Sequence, residues 1–341
     1  MRKGLAAPVA SFMLLAAVFF VILFVSVKPT AFITEGAPLT AIACGDTITS
    51  DTTLTGDLGP CSGGGITIGA DDIVLDCGSH TITGTGSGSG NGVYVSSTNI
   101  TIKNCIITNF DYGITLDFGS YNTLTNNTVN SNKQYGISLH ETVHNILTDN
   151  TVNNNNQRLG IRIEADSYNN TLTNNTAKNQ STGIYLSGAY GNTIANNTIK
   201  DNSNDIGVSA TTDVYCNNLI ENNTGSGDRP VKYANYTISL DSQTFSQLIL
   251  CNADYSNISN VIINGSATTP NNGLSMSRTD NASITNLNSY SIYLTRSYNN
   301  TLTNNTAKIT LFSSSNNILT GNTASNTTGT TYLYGISLQS S

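Results

Sequence analysis

Charge is what this chain has least of. Asp, Glu, Lys and Arg together make up 10% of its 341 residues, against the ~25% usual for soluble globular domains. The 14 basic and 21 acidic residues give a formal net charge of −7. There is no basic stripe and no Trp, so the composition argues against nucleic acid as a partner. His and Met occur three times each, which leaves few donors for a metal such as copper. No Cys-x-x-Cys occurs, so structural zinc and thioredoxin-like chemistry lack their signature. No cofactor is implied: the Gly/Ser-rich stretch 83–92 precedes no helical pattern and reads as a loop, not a phosphate cradle. Asn is absent from the first 90 residues, then so frequent that it makes up roughly one residue in seven of the whole. A chain this polar could be disordered, but its apolar residues recur at regular spacing and long charge runs are missing.

The N-terminus is the exception to that polarity. Arg2 and Lys3 precede an uncharged run over 4–27, whose centre at 12–27 is almost wholly apolar. A membrane span needs ~20 residues, whereas the core of a cleaved signal peptide is usually ~7–15. The one Ala-x-Ala, Ala41-Ile42-Ala43, lies too far downstream to serve as a cleavage site. The expectation is an uncleaved apolar α-helix over 1–28. It would anchor the protein in the cytoplasmic membrane with Arg2 and Lys3 inside and the rest outside. Arg2-Lys3-Gly4 followed by Leu5 and Pro8 also resembles the processing site of archaeal type IV pilins, which implies cleavage after Gly4 and packing into a filament. Residues 29–43 read as a linker or N-terminal cap.

From residue 44 the dominant feature is repetition. One block reads Gly-Ile-x-Leu/Ile, at Gly113-Ile114-Thr115-Leu116, Gly136-Ile137-Ser138-Leu139, Gly160-Ile161-Arg162-Ile163 and Gly183-Ile184-Tyr185-Leu186. Successive glycines are 23, 24 and 23 residues apart. A second block, Asn-Thr-Leu-Thr-Asn-Asn-Thr-Val or close to it, follows at 122–129, 145–152, 170–177 and 192–199 and returns at 300–307 and 317–324. Apolar residues two apart share one face of a strand. Strands this short cannot bury that face alone, but coiling stacks Ile on Ile and Leu on Leu, with rungs ~4.8 Å apart. The predicted fold is all-β: a right-handed, single-stranded parallel β-helix with rungs of about 23 residues over 44–341, looser over 225–290. The Gly before each strand is expected to supply a tight corner. The second Asn of each doublet (Asn127, Asn150, Asn175, Asn197) is expected to form an amide ladder. The last strand pattern, Gly335-Ile336-Ser337-Leu338, carries no polar cap, which exposes a ladder edge for self-association, a partner or a covering loop.

These repeats, together with Cys44-Gly-Asp-Thr-Ile-Thr and Leu75-Asp-Cys-Gly-Ser-His-Thr-Ile-Thr-Gly84, resemble the NosD-type β-helix repeat family over roughly residues 44–338. The resemblance implies the fold and a surface or periplasmic setting. It implies no single activity, because a fold alone does not license one.

Six cysteines, Cys44, Cys61, Cys77, Cys105, Cys216 and Cys251, follow the apolar segment. An even count in an exported domain favours disulfides, with neighbours pairing as Cys44–Cys61, Cys77–Cys105 and Cys216–Cys251. Other connectivities, and free buried thiols, stay open. His140-Glu141-Thr142-Val143-His144 matches the HExxH zinc-protease string, but that chemistry needs a helix and here the string spans a turn between strands. Aligned by rung, Asp117, His140 and Glu164 form a column that could hold a cation or a sugar, or be a solvated stripe. Tyr121, His144, Tyr168 and Tyr190, with Tyr298 later, form an aromatic column that could stack on sugars or simply brace the turns. Carboxylates for glycoside chemistry would come from Asp111 and Asp117, Glu164 and Asp166, or Asp71 and Asp72, with Arg162 on the same surface. None matches an enzyme motif. Fourteen glycosylation sequons occur. Those at Asn126, Asn174, Asn196, Asn222 and Asn304 belong to the repeat consensus, where glycans on adjacent rungs would collide. Asn99, Asn235, Asn264 and Asn326 are the better acceptors. The functional expectation is a membrane-anchored cell-surface protein with a structural, adhesive or glycan-binding role toward polysaccharide or the cell envelope. A polysaccharide lyase, epimerase or hydrolase, and a pilin-like filament subunit, are the alternatives.

Overall fold

The computed structural model describes residues 42–86, 88–155, 158–266, 271–324 and 335–340. The anchor and linker expectations, on residues 1–41, fall outside the described residues, as does Asn326. Among the described residues helix is confined to two 3-10 turns, Asp213–Cys216 and Ser226–Asp228. No helix there is long and apolar enough to cross a membrane.

From Ile42 onward the chain is a parallel β-solenoid. Its first part has three parallel sheets, of eight, eight and seven strands, each visited once per turn. The first sheet runs from Asp46–Ile48 through Tyr112–Asp117, Tyr135–His140, Leu159–Glu164 and Thr182–Ser187 to Asn204–Ser209. Register is in phase with the repeat. Ile114, Ile137, Ile161, Ile184 and Ile206 are successive Cα partners, and so are Leu116, Leu139, Ile163, Leu186 and Val208. The Ile column is at most 1% exposed. Alternation thus puts the branched side chains inside and Thr, Ser and Asn outside, and burial of each such side chain is worth about 1.5–3 kcal/mol.

The Asn-Asn doublets have two different jobs. The first residue of each corner (Asn104, Asn126, Asp149, Asn174, Asn196, Asn222) has φ between 54° and 58°, a left-handed conformation that Asn and Asp tolerate best after Gly. The second points inward and ties three rungs together. Asn150 Nδ2 donates to Leu124 O of the previous rung at 2.8 Å and to Asn175 Oδ1 of the next at 3.0 Å. Its Oδ1 accepts from Asn127 N and Nδ2 at 3.1 and 2.9 Å. The expected ladder therefore exists. A second runs through Asn122, Asn145, Asn170, Asn192 and Asn218, and a third through Asn132, Asn155, Gln180 and Asn202.

Two expectations need correction. Gly113, Gly136, Gly160 and Gly183 do not turn a corner: they sit inside strands, pointing inward, without positive φ. A Cβ at Gly136 would run into Val152 Cγ1 and come within 2.7 Å of Asn155 Nδ2, so the constraint is space. The rung of about 23 residues also holds only in part. Later Cα partners such as Ser275, Tyr293 and Thr310 are 18 and 17 residues apart. There the long strands Asn288–Thr295 and Thr306–Phe312 run straight through what is a corner earlier in the chain.

The solenoid changes cross-section between residues 205 and 275. One hydrophobic cluster ends with Tyr233, Ile249 and Cys251, and a second begins at Ala234 and Leu240. The Gln247 amide bridges the step by accepting from Ile206 N at 2.9 Å and donating to Ile206 O at 2.7 Å. Nearby, buried Asp205 accepts from Ser226 N at 2.7 Å, Ser226 Oγ at 2.8 Å and Asn272 Nδ2 at 2.6 Å. Desolvation raises its pKa to about 6, and these hydrogen bonds pull the other way. The Cys216–Cys251 disulfide closes the same junction, and Cys44–Cys61 and Cys77–Cys105 brace the first rungs.

Candidate functional site

The outer surface of the first sheet is built by the side chains between the buried ones. One column of Cα partners reads Thr67, Tyr94, Thr115, Ser138, Arg162, Tyr185, Gly207. A parallel column contributes Tyr112 and Tyr135, whose ring centroids are 5.5 Å apart at 50°. The Arg162 guanidinium lies 4.5 Å from the Tyr135 ring centre and pairs with Glu164. Aromatic rings and one cation thus line this face, with hydroxyls between them.

The strip leads to a groove of about 600 Å³ where the first sheet's last strands meet the later sheet. Tyr185, Tyr290, Tyr293, Phe312, Arg296 and Lys308 contribute to its walls, with Gly207 in the floor. Gly207 ends the outer column without a side chain: a Cβ there would sit 2.7 Å from Tyr185 Cδ2. The ring of Tyr185 occupies that space and forms a wall. No Asp or Glu lines the groove, so the two carboxylates of glycoside hydrolysis are missing from it. Sequence reasoning did not find this groove. Tyr290, Tyr293, Arg296 and Lys308 sit in no repeated motif, and only the change of cross-section brings them beside Tyr185.

The expected polar column divides into two. Asp117, His140 and Glu164 are aligned in register, but His140 Nδ1 is 2.8 Å from Asp117 Oδ1, whereas Glu164 turns to Arg162. Tyr94 Oη also donates to Asp117, at 3.1 Å. Burial first, and the Asp117 carboxylate second, raise the pKa of that phenol. The HExxH string occupies the end of strand Tyr135–His140 and the following turn, with positive φ at Glu141 and His144, so its two imidazoles do not share a helix face.

The aromatic column is present. Tyr121 and His144 stack at 4.9 Å and 4°, and Tyr168 and Tyr190 at 5.2 Å and 11°. Tyr215 continues it, 6.3 Å from Tyr190. These rings cover one another's faces and offer mainly edges. Tyr298 lies apart, its backbone N–H bonded to Asp280 at 2.7 Å. The remaining candidate carboxylates hold turns: Asp71 accepts from Thr98 N at 2.7 Å, Asp72 from Asn99 Nδ2 at 2.8 Å, Asp111 from Gly88 N at 3.0 Å and Asp166 from Tyr215 Oη at 2.7 Å. Of the sequons singled out, Asn99 and Asn264 are exposed and Asn235 half-buried.

The family profile described as periplasmic copper-binding protein (NosD) matches residues 44–237, more than half of the chain. The chain belongs to the NosD family. Copper, which that description names, finds no fitting donor set in this NosD-family chain. All six cysteines are in disulfides, and Met276 is fully buried in the core. His80 sits against Asp57 and His140 against Asp117, while His144 is stacked in the aromatic column, where its buried Nδ1 lacks a partner among the described residues. Nowhere among those residues do three or more His, Cys, Asp or Glu gather as a metal would require.

No curated protein matches the sequence. Among solved structures, DFA-IIIase from Arthrobacter chlorophenolicus A6 in complex with GF2 is 13% identical, with 78% of this chain and 69% of that one covered and a TM-score of 0.41. The Dettilon tailspike protein (gp208) is 14% identical, with 86% and 60% covered and a TM-score of 0.42. At these values both are resemblances of chain path and say nothing of chemistry.

Proposed function

We propose that this protein is an exported surface β-helix, anchored by its N-terminal apolar segment, that binds a glycan of the cell envelope or its surroundings. One observation carries the reading: the outer strip of Tyr112, Tyr135, Arg162 and Tyr185 runs without interruption into the groove. Tyrosine rings and guanidinium groups set among hydroxyls suit sugars, which present apolar ring faces and polar rims together. Rungs recur every ~4.8 Å, so an extended polymer meets the same surface repeatedly. Three disulfides and many sequons agree with an oxidising compartment outside the cytoplasm. The groove's lack of carboxylates favours binding over glycoside hydrolysis. Self-association through the last rung, and a filament role, are separate possibilities that N-terminal sequencing and electron microscopy address.

The test is a glycan array probed with the full chain in detergent. A defined set of glycans is expected to bind, and Tyr135→Ala with Arg162→Ala is expected to weaken them about tenfold, or about 1.4 kcal/mol. Binding to no glycan, or binding indifferent to these changes, would remove the reading.

A further inference from the structure

We infer that the groove at the junction is an acidic-glycan site, its occupant a uronate- or sulfate-bearing stretch of polysaccharide. This deepens the glycan reading and rests on it. The groove holds two cations, Arg296 and Lys308, and no carboxylate, in a chain whose net charge is −7. Elsewhere on the solenoid cations stand beside acids: Lys103 with Asp76, Arg162 with Glu164, Lys200 with Asp228 and Arg278 with Asp213. Among the described residues neither Arg296 nor Lys308 has an ion-pair partner. Two unneutralised cations in one concavity of an acidic protein mark where an anion is received.

Their placement says what kind of anion. Lys308 is the Cα partner of Ser291, and Arg296 directly follows Thr295, the partner of Phe312. The two cations therefore stand about five residues apart along adjacent strands, on the order of 16 Å. One small anion cannot reach both; a polymer with repeated charges can. Between them lie Tyr293 and Thr310, Cα partners on those same strands, with Tyr290 and Tyr185 in the adjoining walls. The aromatic rings offer stacking surface between the charges. The hydroxyl of Ser277, also in the wall, is buried and has no hydrogen-bond partner among the described residues. An incoming sugar hydroxyl or carboxylate would supply one.

The experiment titrates the full chain in detergent with polygalacturonate, heparin, neutral dextran and single-stranded DNA, by calorimetry at two salt concentrations. Arg296→Gln with Lys308→Gln is compared with Tyr290→Ala and with Lys103→Gln, a distant control. The expected result is binding to polygalacturonate or heparin that weakens at high salt, with dextran at least tenfold weaker. The double variant should lose at least tenfold and Tyr290→Ala several-fold, while Lys103→Gln and the melting temperatures stay unchanged. Neutral dextran binding as well as the acidic glycans, with the double variant unaffected, would overturn this inference and leave glycan binding intact. DNA binding as tightly as the acidic glycans would overturn it in favour of a general polyanion surface. No binding to any glycan would sink both readings.

Discussion

Asn150 is enclosed between two rungs, and its side-chain amide satisfies groups on both. Replacing it with Leu keeps the volume close but leaves Leu124 O, the Asn127 amides and Asn175 Oδ1 short of partners. Each buried orphan costs about 1–3 kcal/mol, so Asn150→Leu is expected to lower stability by several kcal/mol in urea unfolding, more than Thr148→Ala on the outer surface. Asp205 is a different case. Its folded pKa of about 6 lies above the ordinary 3.8, so the folded state binds its proton more tightly than the unfolded state does. Its contribution therefore grows as pH falls from about 6 to about 4 and is lost again as pH rises through the folded value. The span is about 3 kcal/mol at most. Melting temperature measured across this window should show the dependence, and Asp205→Asn should flatten it.

At the scale of strands, two residue types repeat for reasons the sequence half disclosed. Alternation of Ile and Leu with Thr gave the three-faced rung over 113–199, because every turn there repeats the same register. Asn doublets marked the corners. The glycines were legible as a column but not in their role, since crowding by the next rung is a property of stacking. Gly136→Ala is expected to cost about 1–3 kcal/mol, because its Cβ would lie 2.8 Å from Gly160 O, a backbone atom that cannot yield. The shortened later rungs were not legible. Over 225–290 the Asn-Asn-Thr marker fades, and the strands that merge two faces look like ordinary alternation. The groove depends on that merger, so its residues carried no signal, whereas the columns of Asp117, His140 and Glu164 and of Tyr121, Tyr168 and Tyr190 followed from the alignment of repeats. Alignment placed those side chains side by side but could not say that Glu164 would turn to Arg162.

For the molecule from Ile42 onward, the junction sets what can change shape. Two hydrophobic clusters meet at a step held by Gln247, Asp205 and the Cys216–Cys251 disulfide. Reduction, or Cys216→Ser with Cys251→Ser, is expected to cost about 3–4 kcal/mol. Amide exchange should then rise first around residues 205–251 and later in the rungs over 113–199. A single uniform loss of protection would show instead that both clusters unfold as one.

The amide ladders have a further consequence. Each inward Asn donates to the carbonyl behind it and to the amide oxygen ahead, so a finished turn presents the next one with the same pattern it received. A gene segment encoding one such turn can be duplicated or deleted in frame without leaving any amide unanswered. Each added copy lengthens the stack by ~4.8 Å. The solenoid is in that sense a ruler whose graduations are Asn residues, and evolution can set how far its groove stands from the surface by counting turns.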